Sequence, residues 1–312
     1  MTNTQRFADK LIKDQFPLDI DGEANWSQHS ENIWESYVQL PTLKSNQIIV
    51  PSYSSLETTE KYQFSFHGEK SLDLYPVPST KDFKPVTEID QVSGHIDCWH
   101  SKVAIESSQI RLRIEQKEIP SKYLITLSTR DLVSKTFNQR IDKPSRTSSP
   151  EALSQMTADK NIRHRICSPT ATSMALSLNN EFTRWSEIIS ECHDPATNAY
   201  GSWPLAIRCA SARGFIGSVE TNHDWSNASA MLAEGQPIVC SIRFKTNELK
   251  SAPLDHTHGH LVCVYGIEGN KVLTLDPAGD TKTSVNKYYD LEEFSKAWLE
   301  QRGAAYFFYQ IN

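Results

Sequence analysis

Residues 254–277, LDHTHGHLVCVYGIEGNKVLTLDP, contain two apolar runs separated by a short polar stretch. The runs LVCVYGI and KVLTL are rich in β-branched residues, and the glycine in EGN is typical of a tight turn. The stretch therefore predicts a β-hairpin. We expect Gly259 to break any regular strand before His260, which leaves His260 at the start of the first strand.

The hairpin also carries a carboxylate, Asp276, at the end of its second strand. A carboxylate beside an imidazole can hold it in one tautomer and stabilise its cation. A strict two-residue turn at Gly269 and Asn270 would pair Asp276 with Cys263, on the wrong face for contact with His260. Contact would need a bulge or a longer loop. The alternative is that Asp276 only begins a turn before proline.

Three histidines, His256, His258 and His260, lie two residues apart, as metal ligands on one face of a strand would. No neighbouring Cys or His pair completes a recognisable zinc spacing. We therefore expect His256 and His258 to be exposed loop residues, and we predict no metal and no cofactor. A metalloenzyme built on the three histidines is the remotest of the alternatives.

Outward from this hairpin, residues 152–312 alternate between helical and strand patterns. Helical spacing occurs in CSPTATSMALSLNN, TRWSEIISEC, SWPLAIRCASARGF, ASAMLAEG and DLEEFSKAWLEQRG, and strands are predicted at PIVCSIRF and AAYFFYQI besides the hairpin. Helices followed by antiparallel strands predict an α+β domain.

Residues 1–140 have a different pattern. Runs such as SQIRLRIEQ, which places Ile110, Leu112 and Ile114 on one face, predict a β-sandwich-like domain. Its aromatic residues could form a ligand platform, but core packing is the better interpretation: they are Trp26, Trp34, Tyr53, Tyr62, Phe64, Phe66 and Trp99. The polar, proline-containing residues 141–151 predict a linker.

Composition excludes several classes of protein. The 312 residues are 38% hydrophobic and 22% charged, with a net charge of -6 and no basic run, which argues against nucleic-acid binding. No segment reaches the length of a membrane span. The N-terminus lacks the apolar core of a signal peptide, so a cytoplasmic location is expected, while export stays open.

Of the six cysteines, Cys167 has the most distinctive context, because it begins a helical pattern with Pro169 in the first turn. The positive end of a helix dipole favours a thiolate, which is the nucleophilic form. Ser168 or Thr170 can cap this helix. Cys98 has two nearby histidines and ranks second, and we expect the other four to be buried thiols.

Five motifs, ICSPTATSMAL, YGSWPLAIRCASARG, GQPIVCSIRF, GHLVCVYG and LTLDPAG, follow one another at suitable spacing. Together they resemble the papain-like cysteine peptidases of the family-39-like type, which are related to the peptidases that remove bacteriocin leaders. The resemblance covers roughly residues 150 to 312. It implies helices packed on an antiparallel sheet, with Cys167 as nucleophile, His260 as general base and Asp276 as the residue that orients it.

The resemblance also implies that Gln155 donates to the oxyanion, together with the Cys167 backbone N–H. The alternative is that Gln155 is a polar residue at the end of the linker. The chain departs from the commonest family pattern at Ser168, where glycine usually follows the nucleophile. A branch of the family with serine there is joined to an N-terminal β domain.

We therefore predict a cysteine peptidase or amidase that acts on a peptide or amide substrate, which the N-terminal domain could present. The alternatives are a thiol acyl or peptide transferase using the same site, and a non-catalytic binding protein that retains the fold.

Overall fold

The computed structural model describes residues 2–57, 59–135, 141, 145–178 and 184–311. These residues form three sheets whose strands pair antiparallel, together with a few helices. The predicted mixture of helices and antiparallel strands is confirmed. Among the described residues, no helix is both long and apolar enough to span a bilayer.

The first half of the chain is almost entirely β. One helix, α1 (Lys10–Gln15), is accompanied by β1 (Asn3–Ala8), β2 (Trp26–Ser30), β3 (Ile33–Gln39), β4 (Gln47–Ser55), β5 (Lys61–His67), β6 (Ser71–Asp73), β7 (Val92–Gly94), β8 (Trp99–Ser101), β9 (Gln109–Glu115) and β10 (Tyr123–Asp131).

These strands form two five-stranded sheets, β1-β10-β4-β8-β7 and β2-β3-β9-β5-β6. One cluster of buried side chains includes residues of both sheets, such as Ile125 of β10 and Leu112 of β9. In β9 the buried residues alternate with partly exposed arginines, as the sequence predicts. The alternation arises because successive side chains of a strand point to opposite faces of its sheet.

The aromatic residues of this half pack into the same cluster, as predicted. Five are buried and two are partly buried against them, so they contribute packing area and not an exposed platform: Tyr53, Tyr62, Phe64, Phe66 and Trp99, then Trp26 and Trp34.

The second half contains the remaining elements. They are β11 (Ser145–Arg146), a 3₁₀ turn (Gln155–Thr157), α2 (Cys167–Leu176), α3 (Trp185–Glu191), α4 (Trp203–Ser211), β12 (Phe215–Thr221), α5 (Ser226–Ala233), β13 (Ile238–Phe244), β14 (Thr257–Glu268), β15 (Lys271–Leu275), β16 (Asn286–Asp290), α6 (Leu291–Trp298) and β17 (Ala304–Gln310).

The central sheet has the order β12-β17-β13-β14-β15-β16, with β11 paired to β14. It is covered on both faces. Leu261 and Cys263 of β14 belong to a buried cluster with α2 and α4, whereas Val262 and Val264 belong to a cluster with α5 and α6. Because both faces are buried, these strands read as continuous apolar runs in the sequence.

The two halves of the chain meet along β12, the edge strand of the central sheet. Serine hydroxyls from β4 and β10 accept hydrogen bonds from backbone N–H groups of β12 that have no partner in the central sheet. The three pairs are Gly217 to Ser54 (3.0 Å), Val219 to Ser52 (3.1 Å) and Thr221 to Ser128 (3.0 Å). The first half thereby covers an edge that would otherwise be open to strand pairing with another chain.

Two buried arginines strengthen this junction. Arg6 of β1 forms a two-pronged ion pair with Glu220 of β12, at 2.6 and 2.8 Å. Arg130 of β10 donates to the carbonyls of Asn222 and Leu299. Gly303, at φ +62°, lies against Arg130, where a side chain would collide with the guanidinium. Ion pairs with several hydrogen bonds can offset the cost of burying charge.

The structure corrects three sequence predictions. β14 begins at Thr257 and runs through Gly259, because pairing with β13 outweighs the low strand propensity of glycine. The edge strands β12 and β16 were not predicted. Residues 145–146, inside the predicted linker, pair with β14, while 142–144 and the residues 136–140 before them lie outside the described residues.

Candidate active site

Cys167 is the first residue of α2, as the helical pattern predicts, and Pro169 lies in the first turn. Cys167 as a residue is partly exposed, whereas the other five cysteines are buried. The first N–H groups of a helix have no partner within the helix, so they favour negative charge at the Cys167 sulfur. Cys167 is therefore partly accessible and lies where the electrostatic field of the helix favours a thiolate.

The predicted caps of this helix are wrong. Ile166 occupies the N-cap position without a side-chain hydrogen bond. Thr170 instead donates to the Ile166 carbonyl (2.7 Å), and the Ser168 hydroxyl lies 3.0 Å from the Tyr306 hydroxyl. Because no side chain caps the helix, its first N–H groups stay available to an anion.

His260 lies in β14, and the Nε2 atom of its buried side chain is 2.7 Å from Oδ1 of Asp276. The hairpin does turn at Gly269 and Asn270, but the β14–β15 register shifts between Val264 and Gly266. Cys263 consequently pairs with Leu275 and not with Asp276. This bulge is the feature that contact between His260 and Asp276 was expected to require.

Asp276 is held by more than the histidine. Its Oδ2 accepts a hydrogen bond from the Tyr289 hydroxyl (2.7 Å), and its Oδ1 also accepts from the Ala278 N–H (3.0 Å). These bonds satisfy a buried carboxylate and fix its orientation. Sequence reasoning missed Tyr289, because in NKYYDLEEF nothing distinguishes it from the neighbouring, exposed Tyr288.

The electrostatics favour opposite charges on Cys167 and His260. Burial lowers the pKa of His260, but the charge and hydrogen bond of Asp276, aided by Cys167, outweigh it and raise the pKa to about 10. Burial raises the pKa of Cys167, but the hydrogen bond and charge of His260, with the Leu261 and Ser168 N–H groups, bring it below its usual value. A protonated imidazole beside a thiolate is therefore the preferred state.

The proton positions follow from the geometry. A carboxylate only accepts hydrogen bonds, so His260 Nε2 carries the hydrogen that bonds to Asp276. Nδ1 is then the ring nitrogen available to the thiol of Cys167. Burial also raises the pKa of Asp276, yet His260, Tyr289 and the Ala278 N–H more than reverse this and lower it.

Gln155 lies in the 3₁₀ turn and is buried. Its backbone N–H donates to the Pro277 carbonyl (2.9 Å), which ties the turn to the residue after Asp276. Its side-chain Oε1 is buried without a hydrogen-bond partner, and the amide nitrogen donates to no described residue. A buried amide with unused capacity is uncommon in proteins and is often associated with a functional site.

The remaining cysteines do not match this environment. Cys98 is completely buried, and burial raises the pKa of its thiol well above the usual range. Cys192 and Cys209 have sulfur atoms 3.6 Å apart and both are free thiols. Burial likewise raises the pKa of Cys263 and of Cys240.

His256 and His258 are exposed and lie beside an open groove, with ring centroids 6.3 Å apart. His256 contacts Asp255, whereas His260 is buried against Asp276. Within the described part of the chain, no group of three or more His, Cys, Asp and Glu side chains could hold a metal ion.

Comparisons with known proteins agree with the sequence resemblance. A model of the Peptidase_C39 like family matches residues 151–306, which is half of the chain. No curated protein matches the chain in a sequence search.

Two solved structures are similar to part of the chain. One is a double glycine motif protease from an AMS/PCAT transporter in complex with the leader peptide (14% identity, TM-score 0.35), and the other is a Bacillus anthracis protein described as a C39-like peptidase (14% identity, TM-score 0.40). Each match covers 54% of this chain and 98% of the other. The family match over residues 151–306 establishes that the chain belongs to the Peptidase_C39 like family.

Proposed function

We propose that the protein is a cysteine peptidase or amidase in which Cys167 is the nucleophile, His260 the general acid and base, and Asp276 the residue that orients His260. The observation that carries the proposal is the 2.7 Å contact of His260 with Asp276 beside a thiol at a helix N-terminus. Membership of a peptidase family supports the reaction class.

The proposed reaction begins with attack of the Cys167 thiolate on the carbonyl carbon of the scissile bond. The oxygen of the resulting tetrahedral intermediate takes hydrogen bonds from the Cys167 backbone N–H and the Gln155 side-chain amide. His260 gives its proton to the leaving nitrogen, and the C–N bond breaks to leave a thioester. His260 then removes a proton from water, which attacks the thioester and releases the free thiol.

Tyr289 has a positioning role in this proposal, because its hydroxyl holds the carboxylate oxygen that does not contact His260. We further infer that the first half of the chain is a β-sandwich-like domain. It supports the peptidase domain by covering the edge strand β12.

The experiment that tests the proposal is alkylation of the native protein with iodoacetamide between about pH 4 and 9, with each cysteine followed by mass spectrometry. We expect Cys167 to react fastest at acidic pH, and His260→Ala to remove this advantage. The buried Cys98 is the internal reference in the same digest. A Cys167 thiol that titrates near 8.5 in the native protein would contradict the proposal.

Hydrolysis can then be distinguished from acyl transfer. Cys167 is first acylated with an activated acyl ester. The rate at which the acyl group leaves Cys167 is then measured in buffer alone and in buffer that contains a primary amine. Release by water at an unchanged rate when the amine is added supports a hydrolase. Release that accelerates in proportion to amine, with the amide as product, indicates a transferase.

A further inference from the structure

The loop of residues 95–98, which joins β7 to β8 in the first half of the chain, lies beside the N-terminus of α2. In this loop, Asp97 Oδ2 accepts the backbone N–H of Trp203 (3.1 Å), which docks the loop at the start of α4. The charges of Asp97 and Cys167 both act on the buried Tyr306 hydroxyl, which contacts Ser168. The loop is therefore a neighbour of the residues around Cys167.

Arg243 of β13 and Arg302, in the turn between α6 and β17, lie near this loop, because the charges of both act on His95 and His100. Arg243 lies in β13 at the point where the register with β14 shifts. The residue before it, Ile242, pairs with His260, and the residue after it, Phe244, pairs with Thr257. The pairing of β13 with β17 ends at Cys240 and Ala305, and Arg243 and Arg302 each lie three residues beyond that end. Consistent with this placement, burial and then the charge of Arg302 lower the pKa of Arg243.

Neither guanidinium is satisfied within the described part of the chain. Arg243 and Arg302 make no hydrogen bond or ion pair with any described residue, and the Nε atom of each is buried without a partner. Burying unpaired charged donors costs stability, and two like charges repel each other. Departures of this kind in native proteins are expected at functional or strained sites.

The neighbouring titratable groups do not neutralise the pair. His95 Nε2 and His100 Nδ1 are 2.9 Å apart, and burial, then His95 and both arginines, lower the pKa of His100 to about 3. Burial raises the pKa of Asp97 to about 6, although the Trp203 N–H and the charge of Arg302 act to lower it, and this carboxylate forms no ion pair with either arginine. At neutral pH two guanidinium charges therefore face two neutral imidazoles and one carboxylate already bonded to Trp203.

We propose that Arg243 and Arg302 form a binding site for a carboxylate of the substrate, close to the bond that Cys167 attacks. The planar fork of an arginine fits a carboxylate with two parallel hydrogen bonds. Adjacent antiparallel strands are about 5 Å apart and one residue step is about 3.3 Å, so the Arg243 backbone lies roughly 6 Å from that of His260. A substrate whose scissile bond lies against Cys167 would present the carboxylate within a few residues of that bond.

The surface around Arg243 has room for such a chain. Arg243 and His258 line an open groove of about 930 Å³ that continues along α6. The groove also contains carboxylates, of which Glu293 pairs with Lys250 (2.8 Å) and Glu300 forms no ion pair with either arginine. Among the basic residues that line the groove, Lys296 pairs with Glu292 (2.6 Å), whereas Arg243 and Lys245 form no ion pair with a described residue.

This inference rests on the proposed function, and the probes that test it also separate the two. They are chloroacetyl peptides with one to four glycines followed by either glutamate amide or glutamine amide, which differ only in one charge. A second set ends in glycine as the free acid or the amide, and so distinguishes a side-chain carboxylate from a C-terminal one. The rate of Cys167 alkylation is measured for each pair in the full-length protein.

At the best spacing we expect the acidic probe to react about tenfold faster than its neutral partner. Arg302→Gln and Arg243→Gln should bring this ratio close to one, and Arg302→Lys should leave an intermediate ratio because it keeps charge without the fork. The matched control is Arg184→Gln, which removes the same charge from an exposed position at the start of α3. Its ratio should equal that of the wild type.

Equal rates for acidic and neutral probes at every spacing would overturn the carboxylate site, as would a ratio that survives both arginine substitutions. Lack of reaction of Cys167 with the neutral probes as well would instead overturn the proposed function. The ratio of the rates with the acidic and the neutral probe is compared within each variant, so a general loss of Cys167 reactivity affects both rates and cancels.

Discussion

His260 and Asp276 lie within hydrogen-bonding distance because β14 contains one residue more than β15 over the same ladder. The strands pair Val264 with Thr274 and then Gly266 with Leu273, which leaves Tyr265 unpaired with β15. The Tyr265 carbonyl instead accepts the N–H of Thr147, just after β11. The shift of one residue moves Asp276 to the face of the hairpin that carries His260.

Gly266→Ala should therefore disturb both stability and the site. A Cβ atom at this position would lie 2.8 Å from Cβ of Arg146, so β11 must move away. We expect a loss of about 2 kcal/mol in the free energy of unfolding, measured by urea denaturation. Gly22→Ala is the control, because no atom lies within 4 Å of its added Cβ. Equal effects of the two substitutions would refute the importance of this close approach.

Asp276→Asn should lower the pKa of His260 from about 10 toward its ordinary value of 6.5, because the carboxylate is the main cause of the increase. The imidazole can be followed by NMR, with His260→Gln identifying its resonance. Because the folded pKa is raised, the pair stabilises the fold fully below about pH 6.5, and this contribution disappears as the pH rises through about 10. In the variant, the stability should no longer fall as the pH rises through about 10. An unchanged His260 pKa would contradict the assignment of Asp276 as the cause of the raised pKa.

Tyr289→Phe removes the hydroxyl that donates to Asp276 Oδ2 while keeping the ring. We expect kcat/KM to fall about tenfold, the usual effect of one hydrogen bond to a charged group. The pKa of Asp276 should rise, because Tyr289 contributes to lowering it. Tyr288→Phe is the matched control, since that ring is exposed on the same strand. A merely structural role would lower stability without altering the pH dependence of kcat/KM.

The serines that cover β12 should matter for stability and solubility. Ser52→Ala and Ser54→Ala each leave one backbone N–H of β12 without its acceptor, at a cost of about 1 to 2 kcal/mol per site. The exposed Ser190 provides a control substitution to alanine. Hydrogen exchange at Gly217 and Val219 should become faster in the variants. Unchanged protection of both amides would show that these hydroxyls do not hold the edge.

The sequence predicted much of the fold because its signals are local. Buried strands such as β13 and β14 are continuous apolar runs, and α2 follows helical spacing from Cys167 onward. The candidate residues Cys167, His260 and Asp276 were found from their positions at the ends of such elements. Their catalytic roles, and that of Gln155, stay predictions until the chemistry is measured.

Other features could not be read from local patterns. Strand β12 depends on partners far away in the chain, namely β17 and the serines of β4 and β10. The short edge strand β16 is defined only by its pairing with β15. The capping roles predicted for Ser168 and Thr170 failed because both hydroxyls found other partners.

The sequence by itself determined the apolar strands, the helix that begins at Cys167 and the family to which the chain belongs, because these depend on residue order and spacing along the chain. Only the tertiary structure decided which residues meet. A bulge at Tyr265 brings Asp276 to His260, and the Tyr289 hydroxyl donates to the second oxygen of that carboxylate. The turn before β17 places Arg302 close enough to Arg243 for its charge to lower the pKa of Arg243. Register and bulges are set by contacts between distant segments, so no local pattern specifies them.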